Sequence, residues 1–303
     1  MRLVAANAYL GYRAIKQGLD AGADIIICGR VADASPVIGS AAWWYGWSES
    51  AFDELAGALI AGHLIECSTY VTGANYSGAY NHPVSDFIDL GLPIAEVAEA
   101  GDCVITLHDE LNGFVTEDTV RCQLLYELQG NIYLNSDVKA DISQIRVKAV
   151  SKNKVHVLGA KGYPPPPTTK LAIFYKAGYQ CEILINASGY ATEHKWDVLE
   201  AQTRKKLAEW GAKLDVLDFQ RVGVPMNNPN CQLASTTYLR IFAQSTDRSA
   251  VAKVAGAWNF NFMAHFPGIP ELSKELKIQL SPANLPQECM GHLISALLRR
   301  HPS

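Results

Sequence analysis

The chain has 303 residues, with 26 basic and 30 acidic side chains and a formal net charge of -4, and its length is enough to bury roughly three quarters of the unfolded surface in one large domain or two modest ones. The charge balance provides no field that would gather nucleic acid or an anionic membrane, and no apolar run reaches the ~18 residues that a membrane helix needs. Met1-Arg2-Leu3 leads into a strand-like segment rather than a signal peptide, so the expectation is a soluble, cytoplasmic protein that binds neither nucleic acid nor membrane.

Leu3–Ala8 reads as a buried strand, Tyr12–Ala21 as a helix ended by Gly22, and Ala23–Cys28 as a second strand, together a βαβ unit of a parallel layer. Ser35–Tyr45 and Ser50–Ser68 read as helices, with Asp53 and Glu54 in the first turn of the second, where carboxylates favour the macrodipole. Two parallel strands make a poor independent core, and the first begins without a lead-in, so either further strands of the layer stand upstream or later segments complete a small sheet. From Ser143 the composition turns β-rich, with strands at Ile145–Val150, Lys154–Gly159, Leu171–Lys176 and Cys181–Ala187. Helix Thr192–Trp210, strands Leu214–Val222 and Thr236–Ala243, helix Arg248–Ala264 and a last strand Leu276–Leu280 follow. From Cys181 this order is β-α-β-β-α-β, the ferredoxin-like split unit. Pro164–Pro167 forms a stiff extended bridge. The expected fold class is therefore α/β followed by α+β: a partial parallel α/β layer over residues 1–140 that carries the candidate site, and a ferredoxin-like region over residues 141–303.

The seven cysteines are widely spread and form no CxxC pair, which supports neither a disulfide framework nor a zinc knuckle. Most sit in apolar runs such as IIIC and VRCQLLY and read as small buried hydrophobes; Cys67 is the exception.

Cys67 belongs to the stretch Asp24–Asn75, where chemistry-bearing residues concentrate. His63, Glu66 and Cys67 stand at i, i+3 and i+4 of an apolar helical run and so share one face. A thiol near an imidazole can act as a nucleophile, and a carboxylate one turn away can orient the ring or exchange protons. A polar but structural helix face and a metal site remain alternatives, although a helix alone rarely supplies three ligands. Arg30, after Gly29, is an anion holder or a surface ion-pair partner. Asp33 and Ser35 are good N-cap types for the helix that follows. Asn7 and Tyr9 would lie beside Arg30 if the first two strands were adjacent and parallel. Gly73 and Asn75, in the turn Thr72–Asn75, are candidates to present backbone N–H groups to an oxyanion, or they form an ordinary turn. His82 and His108 read as solvated loop histidines, while Asn259, Asn261 and His265 suggest a helix cap or an interface.

The words ANAYLG, DAGADIIICGRVADAS, AGHLIEC, TGAN, QLLYELQG, GAKGYPPPPTTKLAIFYKAGY, INASGYATEHKW and TTYLRIFAQS occur in order and together closely resemble the A-type proteins of the acyclic terpene utilisation family. The resemblance runs from Leu3 to about Gly268, and the remaining tail does not share it. It implies a metabolic role in terpenoid catabolism or secondary metabolism, near branched acyl-CoA or terpenoid acids, and an α/β region before a smaller ferredoxin-like one. The cofactor stays unknown. Asn7, Arg30, Asp33, Ser35, His63, Glu66, Cys67, Gly73 and Asn75 stand on family-like words and inherit the status of site residues. The chain departs from the resemblance in two places. The family carries well over a hundred residues before ANAYLG, and where it has a glycine-rich turn this chain has Glu110-Leu111-Asn112-Gly113. The expected function is an enzyme acting on a small-molecule acid or acyl-CoA. The alternative is a non-catalytic or truncated relative that docks a partner subunit or another copy of itself.

Overall fold

The computed structural model describes residues 2–260, 264, 266–268, 287–292 and 296–299. In chain order the elements are β1 Arg2–Ala8, α1 Arg13–Asp20, α2 Ser35–Trp44, α3 Phe52–Ile65, β2 Pro93–Val97, β3 Cys103–Leu107 and α4 Glu117–Leu125. Then come β4 Ile132–Leu134, β5 Lys139–Asp141, β6 Arg146–Ser151, β7 Lys154–Leu158, β8 Lys161–Tyr163 and the long β9 Thr168–Ala187. The last are α5 Thr192–Glu209, β10 Val216–Val222, α6 Gln232–Ser235, β11 Thr237–Ser245, α7 Arg248–Phe260, β12 Gln287–His292 and β13 Ala296–Arg299. They divide into two compact units, one of Met1–Ala5 with Ile173–Leu293 and one of Ala6–Ala172 with Ile294–Ser303. Residue 140, where the composition turns β-rich, falls inside the second of these.

That unit is organised on α3. Every residue from Leu55 to Leu64 is buried, as a helix apolar all round its circumference requires. It packs in one core with Ile38 and Ala42 of α2, Ile105 of β3 and Val155 and Val157 of β7. Small residues make the packing possible: a Cβ at Gly57 would collide with the Gly101 carbonyl oxygen, and one at Gly62 would lie 2.6 Å from Ala34 Cβ. At the start of α3, the Asp53 carboxylate accepts from the Gly162 N–H and from Lys161 Nζ, each at 2.8 Å, which ties the helix to β8. The Gly162 bond, then the Lys161 bond, holds the carboxyl below its ordinary 3.8. A depressed folded pKa gives stability that is present above the unfolded value and lost as pH falls through the folded one. The stability gap between wild type and Asp53→Asn, measured by urea unfolding, is therefore expected to be constant near neutrality and to close as pH drops below 3.8.

Helix and sheet are mixed, but the strands of this unit pair antiparallel, in the orders β2-β3-β7-β6 and β4-β5-β8. The expected parallel strand Ala23–Cys28 is irregular backbone. Among the described residues, isolated parallel bridges join Leu10 to Val31 and Leu90 to Asn112. A parallel strand needs a partner on each side and cover on both faces. Here Ile26 packs on Gly18, while Ile25 and Ile27 are 82% and 93% exposed. Cys28 is exposed too, so it is not the small buried hydrophobe its apolar run suggests; the same holds for Cys231.

In the other unit, β9, β11 and β10 pair antiparallel in that order. Period-two alternation turns Cys181, Ile183, Ile185, Leu239, Ile241 and Ala243 to one face. On that face they pack with Trp196 and Leu199 of α5 and Val251 and Val254 of α7. The two strands read at Leu171–Lys176 and Cys181–Ala187 are one continuous strand, β9. The last strand expected, Leu276–Leu280, lies outside the described residues, as do Asn261 and His265.

Candidate functional site

α3 ends at Ile65, three residues short of the sequence expectation, with Glu66 as its C-cap in helical geometry (φ -63°, ψ -33°). Ser68 then turns left-handed at φ 54°. Glu66 keeps the i+3 relation to His63, and Cys67 lies just past the helix end. Glu66 and Cys67 line a cleft of about 380 Å³ together with Gly29, Arg30, Val31, Asp33, Pro36 and Glu127. His63 does not reach the cleft. It is fully buried behind Glu66, whose carboxylate accepts from His63 Nδ1 at 3.2 Å while keeping a side-chain exposure of 10%.

The His63 and Tyr133 rings meet in a T-shaped contact with centroids 5.2 Å apart, and Gln123 Nε2 donates to the His63 carbonyl at 3.2 Å. His63 Nε2, Glu66 Oε2 and Gln123 Oε1 are buried without a protein hydrogen-bond partner. Buried polar atoms are nearly always hydrogen-bonded, so three such atoms side by side at the back of the cleft call for an explanation. Burial pushes the Cys67 thiol up, Glu66 adds to the rise, and a contact with Gln123 opposes it. Burial raises the Tyr133 phenol as well, again with Glu66 adding to it. These surroundings favour a protonated thiol, the weaker nucleophile.

Arg30 is held from two sides on the cleft wall: it donates to Asp33 Oδ1 at 3.2 Å and lies over the Tyr9 ring at 5.1 Å, while Lys170 Nζ sits 4.7 Å from the same ring. Asn7 is exposed on β1 and does not line the cleft. Neither Asp33 nor Ser35 caps α2. Ala34 occupies the cap position without a side-chain bond, because both candidate side chains are used elsewhere. Ser35 is fully buried and donates to Asp137 Oδ2 at 2.7 Å, while Asp137 Oδ1 accepts from the Tyr12 N–H at 2.9 Å. One buried carboxylate thus joins the starts of α1 and α2. Asp137→Ala strips the acceptor from both buried donors and is expected to cost about 3 kcal/mol, read as a lower urea midpoint, with Ser35→Ala costing less.

The Thr72–Asn75 turn is not an anion cradle on this cleft. Thr72 and Gly73 are buried; Gly73 has φ 129°, and a Cβ there would meet the Phe114 ring at 3.1 Å. Thr72 Oγ1 donates to Gly91 O, and the N–H groups of Thr72 and Ala74 go to Thr69 O. Asn75 is exposed. His82 is not simply solvated either: its ring stacks on Phe114 with centroids 3.9 Å apart and pairs with Asp86 at 3.6 Å. Among the described residues, no cluster of three or more His, Cys, Asp and Glu side chains is arranged to hold a metal ion, and no helix is long and apolar enough to cross a membrane.

Sequence reasoning missed Gln123, Glu127, Tyr133 and Asp137. Gln123 and Glu127 begin and centre the QLLYELQG word, which carried resemblance but no chemical pattern.

A family model described as acyclic terpene utilisation family protein AtuA matches residues 1–295. The chain belongs to that family. The match reaches well past Gly268, so the tail expected to be unlike the family is largely part of it. No curated protein and no solved structure matches this member of the acyclic terpene utilisation family.

Proposed function

We propose that this protein is an enzyme of acyclic terpene utilisation whose cleft at Glu66 takes the acyl end of a terpenoid or branched acyl-CoA or carboxylic acid. The observation that supports this best is a cleft-lining carboxylate backed by a fully buried imidazole at 3.2 Å. In this reading Glu66 exchanges a proton with substrate and His63 is a positioning residue that orients the carboxylate. Cys67 acts as a packing thiol rather than a nucleophile, because burial and Glu66 both push its pKa up. Asp33, Glu66 and Glu127 make the walls acidic around Arg30, so a neutral thioester carbonyl suits the site better than a free carboxylate. The reaction class that follows is proton transfer at the carbon beside a thioester carbonyl, with Arg30 toward the carbonyl oxygen.

We read the run from β9 to α7 as a ferredoxin-like split unit, on the strength of the order β9-β11-β10 and of helices packed on one face. The site-bearing region before it is read as a separate domain, and a cytoplasmic setting accords with acyl-CoA chemistry. A second reading, a subunit that docks a partner protein or another copy, is favoured by the exposed Ile25 and Ile27. A thermal-shift and turnover screen of acyl-CoA esters and terpenoid acids separates the two. An enzyme is stabilised by thioesters and converts them, whereas a docking subunit is stabilised by none.

A further inference from the structure

Beside the cleft, in the same unit, runs an apolar groove of about 510 Å³ along α2, walled by Pro36, Val37, Ser40, Trp43, Trp44 and Ile65 among others. No charged side chain lines it. Pro36 lines both cavities, and Ile65 of the groove is the chain neighbour of Glu66 of the cleft. α2 is apolar on nearly every face, yet only Ser35, Ile38, Gly39, Ala41 and Ala42 are buried. Trp44, at the far end of the helix from Pro36, is 72% exposed. An apolar helix face left open in this way marks a binding surface.

We infer that this groove is the subsite for the hydrocarbon tail of an acyclic acyl substrate whose thioester head occupies the cleft at Glu66. The inference rests on the proposed reading of that cleft and adds where the chain length of the substrate is measured. An uncharged groove that shares the wall residue Pro36 with a cleft of ionisable side chains fits a molecule with one polar head and one apolar tail. A peptide segment would bring backbone N–H and C=O groups that these walls give few partners. The hydroxyl of Ser40 is occupied by its own helix, donating to Pro36 O at 2.8 Å, and so does not interrupt the apolar wall.

The test is calorimetric titration of the full chain with N-acetylcysteamine thioesters of butanoate, hexanoate, octanoate and citronellate, alongside free coenzyme A. Wild type is expected to gain about two- to fourfold in affinity per added methylene from butanoate to octanoate, with the branched citronellate binding at least as tightly as octanoate. Ser40→Lys, which places an ammonium in the groove, flattens that dependence, and Ser40→Leu keeps it. Should Ser40→Lys fail to fold, Trp44→Lys at its exposed position carries the same test. Affinity independent of chain length, a chain-length dependence that survives the lysine variants, or free coenzyme A bound in a Ser40-sensitive way overturns the inference. Glu66→Gln separates the two claims: chain-length dependence kept with turnover lost supports both, and both kept leaves the groove standing while removing Glu66 from the reaction.

Discussion

If Glu66 is the acid/base, Glu66→Gln is expected to lower turnover of a terpenoid thioester by about 10²–10⁴-fold while leaving its binding nearly unchanged, because the amide keeps the size of the side chain but cannot exchange a proton. Fold loss is not the expected cause, since glutamine keeps the size of the side chain and its amide oxygen can still accept from His63 Nδ1. Cys67→Ser serves as the contrast. A nucleophilic thiol would make it as damaging as Glu66→Gln, but a thiol raised by burial and by Glu66 predicts that most activity survives. Steady-state kinetics on both variants, with thermal shift by ligand as the folding control, distinguish the acid/base role from the nucleophilic one.

Gly57→Ala is expected to destabilise the α3 unit by about 3 kcal/mol, at the upper end of what overpacking costs. The added methyl would meet the backbone of Gly101, which is itself confined by Glu54 Cα and turns at φ 89°, so no flexible side chain can yield. Gly29→Ala is the matching control: nothing stands within 4 Å of a Cβ there, and a change within about 0.5 kcal/mol is expected. Urea unfolding followed by near-ultraviolet circular dichroism reads both.

Local periodicity made α1, α2, α5, β6, β7, β10 and β11 legible, because each carries its pattern within its own length. Asp24–Cys28 misled for the opposite reason: an apolar run signals a buried strand only when neighbours exist to bury it, and neighbours are a property of the whole chain. β2, β3 and α4 went unread, α4 because its capping box uses Thr116 and Thr119 in place of the expected acidic partner.

Much the same holds at the site. The spacing of His63, Glu66 and Cys67 was visible, and the helix end does bring Glu66 and Cys67 to Arg30 and Asp33. Which of them faces the cleft was not visible, since the depth of His63 depends on how Gly57 and Gly62 draw α3 into the core. Ser35 looked like a cap because its true partner, Asp137, lies 102 residues away. The Gly73 turn had the residues of an anion cradle but spends its N–H groups on its own backbone.

The most direct measurement is amide hydrogen exchange on the whole protein with and without citronellyl-CoA. If Glu66 lies at the reacting centre, ligand-induced protection concentrates in 29–36, 62–68 and 123–128, the segments that carry Arg30, Asp33, Glu66, Cys67 and Glu127. Protection confined to other segments, with those three unchanged under saturating ligand, contradicts the assignment of the cleft.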